Sequence, residues 1–461
     1  MTEYDGPSPD ALGDLIDALP EGVVVTEPER IEKYRWDRSQ DPGTGTPVAV
    51  VRARDAGQVQ AAVRWAAAHR VPVVPRGAGS GLSGGSSAVD GGIVVSLERM
   101  DRVEIDPTCQ VAVVEPGAYN KDVKSAAAEH GLWYPPDPSS YEFCSIGGNI
   151  ATNAGGLCCV KYGVTTDYVL GLDVVLADGS LVTLGGKRIK DVAGLSLLKL
   201  FVGSEGTLGI VTRAVLRLVP AQQDRSTLVA TFATPSVAAE AVVAIRAALR
   251  PSMLELMDQP SIRAVEDHRS MGLDVDAGAL LVAQSDAPGS SRSEEIALME
   301  KACHDSGASE VFVTDDADEG ELFVQARRMV IPAVEELGAL MLEDVGVPVP
   351  RLPELLEAVA EVARRRDLLI PVIAHAGDGN THPLIVVPRD DDAAHLRALQ
   401  AFEDIMHAAI RLDGTITGEH GVGRTKKSAL PEQLGEDVMA LNRRVKDALD
   451  PDGILNPGAI I

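Results

Sequence analysis

Pro75-Arg76-Gly77-Ala78-Gly79-Ser80-Gly81-Leu82-Ser83-Gly84-Gly85 is the stretch on which the fold turns. Before it, residues 48–51 look like a strand, 56–69 repeat apolar residues at helical spacing and 71–74 are again β-like, so the loop ends a β-α-β unit. A glycine loop in that place suggests a nucleotide. Rossmann and P-loop phosphate sites need a helix to start directly after the loop. None is expected here, because residues 86–90 are polar, 92–97 are β-like, and no Gly-Lys-Ser or Gly-Lys-Thr occurs. The five loop glycines still allow positive φ and close backbone approach, so successive N–H groups can form an anion-binding nest. A plain turn is the alternative, and the loop alone does not decide.

Working outward, a short helix is expected over 11–19, a strand over 22–26 and a polar loop over 39–46. Downstream come three more polar, Gly-rich or Pro-rich segments at 135–138, 145–156 and 203–211, each set among β-like runs. One large, flat, polar cofactor laid along the backbone accounts for all four better than four unrelated turns.

From about residue 47 to 220 these segments resemble the FAD-binding domain of the vanillyl-alcohol oxidase and p-cresol methylhydroxylase type. Residues 147–156 and 198–212 are similar to the branch that holds the GlcD subunit of glycolate oxidase, D-lactate dehydrogenases and D-2-hydroxyglutarate dehydrogenases. The resemblance implies an α+β protein with a two-part FAD-binding domain, a cap domain and a C-terminal helical tail returning to the flavin. It implies cofactor contacts at Pro75, Arg76, Gly77, Gly79, Ser80, Gly81 and Leu82 in the first loop, and at Pro135 and Asp137 in the second segment. Further contacts are implied at Ser145, Gly147, Gly148, Asn149, Thr152, Asn153 and Gly155, at Gly209 and Ile210, and at Asn456 in the tail. Residues 76–85 hold no His or Cys, the types through which relatives attach FAD covalently in this loop, so the FAD is expected to be non-covalent.

From Ser226 the pattern runs strand 227–232, helix 236–249, strand 253–257, strand 279–284, helix 291–306 and strand 310–313, an order that suits a ferredoxin-like α+β unit. Helices are expected over 319–337, 353–367 and 432–449. The expected domains are 1–222 for FAD, 223–412 for the substrate cap, and 413–461 as a segment contributing a metal ligand, a catalytic His and a flavin contact.

Within the cap, His375-Ala376-Gly377-Asp378-Gly379-Asn380-Thr381-His382 separates two apolar runs. Asp378-Gly379 predicts a two-residue hairpin. That pairing sets His375 opposite His382, with Cβ atoms about 4.5 to 5.5 Å apart on one face, near enough to share a metal ion. The bland reading is a solvated loop with incidental histidines. Thr415-Ile416-Thr417-Gly418-Glu419-His420-Gly421 adds a carboxylate beside an imidazole, and two His with one Glu leave a divalent ion open positions for catalysis. The resemblance implies that His375, His382 and Glu419 hold a divalent metal, Zn or alternatively Mn or Fe, and that His420 is the general base. It implies that Arg327 binds the substrate carboxylate, while Arg328 is expected to face solvent.

The chemistry so implied is oxidation of a D-2-hydroxy acid to the 2-oxo acid, with the hydroxyl proton passing to His420 and hydride to flavin N5. The 2-hydroxyglutarate enzymes carry polar groups where Ile331, Leu342 and Leu384 stand here, so a monocarboxylate such as glycolate or D-lactate is expected over D-2-hydroxyglutarate. Two rivals are a flavin-free metallohydrolase and a flavin- or nucleotide-binding subunit that has lost catalysis and serves an assembly.

Composition sets the outer bounds. Hydrophobic residues at 45% and charged residues at 24% describe a globular chain. The net charge of −26 opposes nucleic acid and anionic lipid as non-specific partners. The acidic opening lacks a signal-peptide pattern, no run is long enough for a transmembrane segment, and five cysteines suit reduced thiols, so a cytoplasmic protein is expected. Adjacent Cys158 and Cys159 are expected to be two small buried residues rather than a redox pair. No dinucleotide site for NAD and no iron–sulfur cysteine spacing is visible. Electrons must therefore leave to a quinone, an electron-transfer flavoprotein, an iron–sulfur partner subunit or oxygen. A homodimer is among the assembly states left open.

Overall fold

The computed structural model describes residues 6–39, 41–389 and 391–461. The acidic opening from Met1 to Asp5 lies outside them, as does Gln40 of the expected loop. The chain divides into two compact units, the first made of Met1–Gly155, Val164–Ala221 and Glu419–Ile461, the second of Gly156–Gly163 and Gln222–Gly418.

In the first unit, Ile93–Ser96 lies between Ala49–Arg52 and Val73–Arg76, parallel to both, with Val24–Val25 antiparallel at the far edge. Each of the three parallel strands opens on apolar residues because those positions are buried. Helix Ala56–His69 starts where Asp55 accepts the Gln58 N–H and ends where Arg70 takes a left-handed φ of 54°. It buries Val59, Ala62, Val63 and Ala66. The Gly-rich loop leaves Val73–Arg76 with no helix after it, as expected. The C-terminal tail returns along the same strand: Val73 donates to the Ile454 carbonyl at 2.8 Å and Asn456 donates to the Val73 carbonyl at 2.8 Å. A five-stranded antiparallel sheet completes the unit, in the order Val103–Asp106, Val111–Val114, Ile210–Arg217, Val169–Val175, Leu181–Gly185.

Residues 145–156 are not simply a polar turn segment. Ser145 caps helix Ile146–Thr152, and Asn153 closes it at φ 54°. Glycine is needed inside this helix because a Cβ on Gly147 would lie 2.6 Å from Pro116 Cβ and 2.9 Å from its carbonyl oxygen.

The second unit is built on one antiparallel sheet. Its first four strands, Glu310–Thr314, Ser226–Phe232, Ala279–Ser285 and Met253–Asp258, stand in the spatial order of a ferredoxin-like unit. Val372–His375 then adds to the free edge of Met253–Asp258, followed by Asn380–Val387 and Ala339–Leu342, with Val345–Gly346 also on Asn380–Val387. Helices Gln259–His268 and Asp392–Arg411 join those expected.

The compact units are drawn from other stretches of chain than the expected spans. Residues 156–163 cluster with the second unit, because the buried Asp286 carboxylate accepts from Lys161 and Tyr162 and, at 3.0 Å, from Gln222. Of the expected C-terminal segment, residues 413–418 cluster with the second unit and Glu419–Ile461 with the first. Cys158 and Cys159, expected to be buried, are half-buried, and neither forms a disulfide.

Candidate active site

The hairpin register differs from the expected one. His375 faces Asn380 and His382 faces Ile373 across the two strands, so the loop is four residues long. Asp378 and Gly379 bond back to the carbonyls of His375 and Ala376, and Gly379 sits last in the loop at φ 83°, a conformation suited to glycine. The offset from the expected pairing is two residues, an even number, so the histidines keep one face of the sheet and sit diagonally on it. Their rings are 5.1 Å apart between centroids, both are buried, and they offer nitrogen atoms within 4.8 Å of one another.

The neighbouring strand supplies a residue that the sequence pattern does not reveal. Leu256 pairs with Ala374, which puts Glu255 directly opposite His375 on the histidine face. Its Oε1 is 2.8 Å from His375 Nδ1, and its Oε2 is 2.9 Å from Arg327 Nη2. All three are buried. A carboxylate on Nδ1 fixes the ring so that Nε2 faces a ligand, the usual outer partner of a metal-binding histidine. The donors present thus fit a divalent ion. Arg327 comes from helix Ala317–Glu335, where Arg328, half-buried beside Glu321, is less open to solvent than expected.

Asp344 is a second residue that sequence pattern does not reveal. Its Oδ1 lies 3.6 Å from His382 Nδ1, while Oδ2 accepts from Thr417 Oγ1 at 2.7 Å and from the Gly418 N–H at 2.9 Å. Leu342 pairs in register with Leu384, and the side chains at 382 and 384 share a face, so an apolar wall stands beside His382. Ile331 packs against the same core. The signal for Glu255 was a carboxylate between leucines in the middle of a strand, and for Asp344 the acidic pair Glu343-Asp344 between two short apolar strands, since carboxylates are costly to bury without a partner.

In the first unit, Pro75 and Arg76 end a strand and residues 77–82 form the loop after it. Burial pulls the Arg76 guanidinium below its usual range, and nearby Asp37 opposes that pull. Ser145 Oγ accepts from both Ala78 N–H and Gly148 N–H, joining the first loop to the helix that carries Gly147, Gly148, Asn149 and Thr152. A Cβ on Gly77 would fall 2.2 Å from that hydroxyl oxygen. Asn153 and Gly155 follow the helix, Pro135 and Asp137 are buried in the segment before it, and Gly209 leads into the strand that begins at Ile210. These Gly-rich backbones, converging within one unit, suit a long polar cofactor. Asn456 donates to the carbonyls of Gly85 and Glu205, each at 2.7 Å, and accepts from Arg424 at 2.9 Å, so its amide holds the loop. Glu419 and His420 are partly buried neighbours, 3.9 Å apart between Oε1 and Nε2.

Comparison with known proteins agrees with this layout. Residues 47–185 match the family model described as FAD binding domain, and residues 221–460 match FAD linked oxidases, C-terminal domain. The chain belongs to the FAD-linked oxidases. As a member of that family it is an oxidoreductase, and FAD is its cofactor. It is 41% identical to glycolate oxidase subunit GlcD of Bacillus subtilis, over 89% of this chain and 88% of that one. It is also 34% identical to a D-lactate dehydrogenase of Archaeoglobus fulgidus, over 97% and 99%. Among solved structures, p-cresol methylhydroxylase with substrate bound superposes on this FAD-linked oxidase at TM-score 0.82 with 17% identity, over 97% of this chain and 96% of that one, which shows a shared fold. No helix among the described residues is long and apolar enough to cross a membrane.

Proposed function

We propose that the protein oxidises a D-2-hydroxy monocarboxylate, glycolate, D-lactate or a similar acid, to the 2-oxo acid, using non-covalent FAD and a divalent metal ion. The observation that carries this reading is the buried pair His375 and His382 on one sheet face, backed by Glu255, in a chain whose relatives include proteins named for glycolate and D-lactate. Bound FAD supplies the two-electron acceptor, and the ion supplies positive charge that favours the deprotonated hydroxyl.

The chain's own residues do the rest. His375 and His382 would hold the ion with Glu419, which follows directly after Gly418, a residue held by Asp344. His420 takes the hydroxyl proton. Arg327 binds the substrate carboxylate with donors other than the one facing Glu255, since a guanidinium carries five N–H groups. Ile331, Leu342 and Leu384 disfavour a second carboxylate, whose desolvation without a cation costs on the order of several kcal/mol. Electrons then leave to an acceptor outside the chain.

Steady-state turnover with an artificial acceptor tests the substrate reading. Glycolate or D-lactate is expected to turn over faster than D-2-hydroxyglutarate, with activity lost on chelation and restored by Zn, Mn or Fe. Faster turnover of D-2-hydroxyglutarate would overturn it.

A further inference from the structure

Glu205 lies in Gly203-Ser204-Glu205-Gly206, buried, at φ 48°, in a backbone conformation that side chains seldom adopt. Its carboxylate accepts three backbone N–H bonds: Oε1 from Val422 at 2.8 Å and from Gly423 at 3.2 Å, and Oε2 from Gly423 at 2.9 Å. The oxygens press against two glycines. A Cβ on Gly421 would lie 2.7 Å from Oε1, and one on Gly85 would lie 2.7 Å from Oε2. The Glu205 backbone is tied as well, its N–H donating to Ala151 and its carbonyl accepting from Asn456.

The turn it grips follows His420 directly. Ser83 Oγ donates to the His420 carbonyl at 3.1 Å, and the Ser83 carbonyl accepts from the Arg424 N–H at 2.8 Å. The backbone after His420 is therefore held to the first Gly-rich loop by Ser83 and to the Gly203–Gly206 turn by Glu205. Burial pushes the Glu205 carboxyl up to about 7, against the pull of the Gly423 and Val422 N–H bonds. Keeping a carboxylate there is costly, and glutamine would replace one acceptor oxygen by an N–H donor pointing at an N–H.

We propose that Glu205 is a positioning residue for catalysis, fixing the turn at Gly421, Val422 and Gly423 and so the backbone from which the His420 imidazole reaches its substrate. This rests on the reading of His420 as the base. It acts through the backbone and touches neither substrate nor cofactor.

The test uses the FAD-loaded full chain with Glu205→Gln and Glu205→Asp, read by amide hydrogen exchange and by anaerobic flavin reduction. At a pH of about 8, above the value of about 7 to which burial pushes the Glu205 carboxyl, Glu205→Gln should speed exchange at Val422 and Gly423 by about 10- to 100-fold, as loss of hydrogen bonds to a charged group predicts, with Ile93–Ser96 unchanged. Flavin reduction at saturating substrate should slow by a similar factor while the substrate concentration for half-maximal rate holds. Glu205→Asp should restore part of both. Unchanged exchange at the two amides, or faster exchange with undiminished flavin reduction, would overturn the proposal. Should Glu205→Gln fail to fold, the wild type decides: Val422 and Gly423 must exchange as slowly as the sheet amides, and rapid exchange there overturns it. If no 2-hydroxy acid reduces the wild-type flavin, the base assignment and with it the catalytic claim fall, while the exchange result still reports separately on the clamp.

Discussion

Glu255 answers to two partners at once, so removing its charge should be felt at both. Glu255→Gln keeps the shape but weakens the hold on His375 Nδ1, and metal affinity is expected to fall about 10- to 100-fold in a chelator competition. The same variant removes the negative charge that faces the buried Arg327. Its melting temperature should drop with it, whereas Arg327→Met with Glu255→Gln should recover part of the loss. Unchanged metal affinity would show that the Glu255 contact does not orient His375. The two histidines could be read from the sequence because imidazoles beside a Gly-rich turn between apolar runs are conspicuous. Glu255 could not, because its partner His375 is 120 residues away and only strand pairing brings them together.

At the scale of elements, helix Ala56–His69 matched its expected span because the Asp55 cap, the apolar spacing and the left-handed Arg70 all act locally. The hairpin pairs two residues away from the expected register, and its loop is packed against chain distant in sequence: a Cβ on Gly379 would meet the Val347 carbonyl at 2.1 Å. Helix Ile146–Thr152 is hidden in the sequence for a similar reason, since its Gly147 serves packing against Pro116. Gly147→Ala should therefore destabilise the protein by about 1 to 3 kcal/mol through overpacking and reduce retained FAD, read by thermal denaturation and the flavin-to-protein absorbance ratio. The tail is held by the buried Asp450 and its partly buried partner Lys446. Asp450 bonds Lys446 at 2.5 Å and accepts from Ile454 and Leu455, the residues that lie along Val73. Asp450→Ala removes the charge facing Lys446, whose ammonium keeps the Thr207 and Leu455 carbonyls, and takes the carboxylate acceptor from the Ile454 and Leu455 N–H groups, so a loss of about 1 to 3 kcal/mol is expected in denaturant titration. A loss below about 1 kcal/mol would mean the tail is held by other contacts.

Over the whole molecule, each unit buries a carboxyl that burial pushes upward: Glu205 to about 7 in the first and Asp258 to about 6 in the second. Both are protonated in the fold at pH values where the unfolded chain has already ionised them, so stability falls as pH rises from about 4 towards 6 to 7 and levels off above. Asp258→Asn keeps a cap for the Ser261 N–H and removes one titration. Its stability relative to wild type should rise by on the order of 2 to 3 kcal/mol between pH 4 and 7, and a constant difference would contradict the assignment. The two-unit plan was legible in outline, since four Gly-rich segments and the ferredoxin-like strand order are sequence-local, while the placement of residues 156–163 with the second unit rests on Asp286, far along the chain. The central claim, that two histidines and a flavin together oxidise a monocarboxylate, is tested most directly by anaerobic mixing with D-lactate and with glycolate. The wild-type flavin band near about 450 nm is expected to bleach with at least one of them and to persist in His382→Ala; persistence in the wild type with both acids, or equal bleaching in His382→Ala, would contradict it.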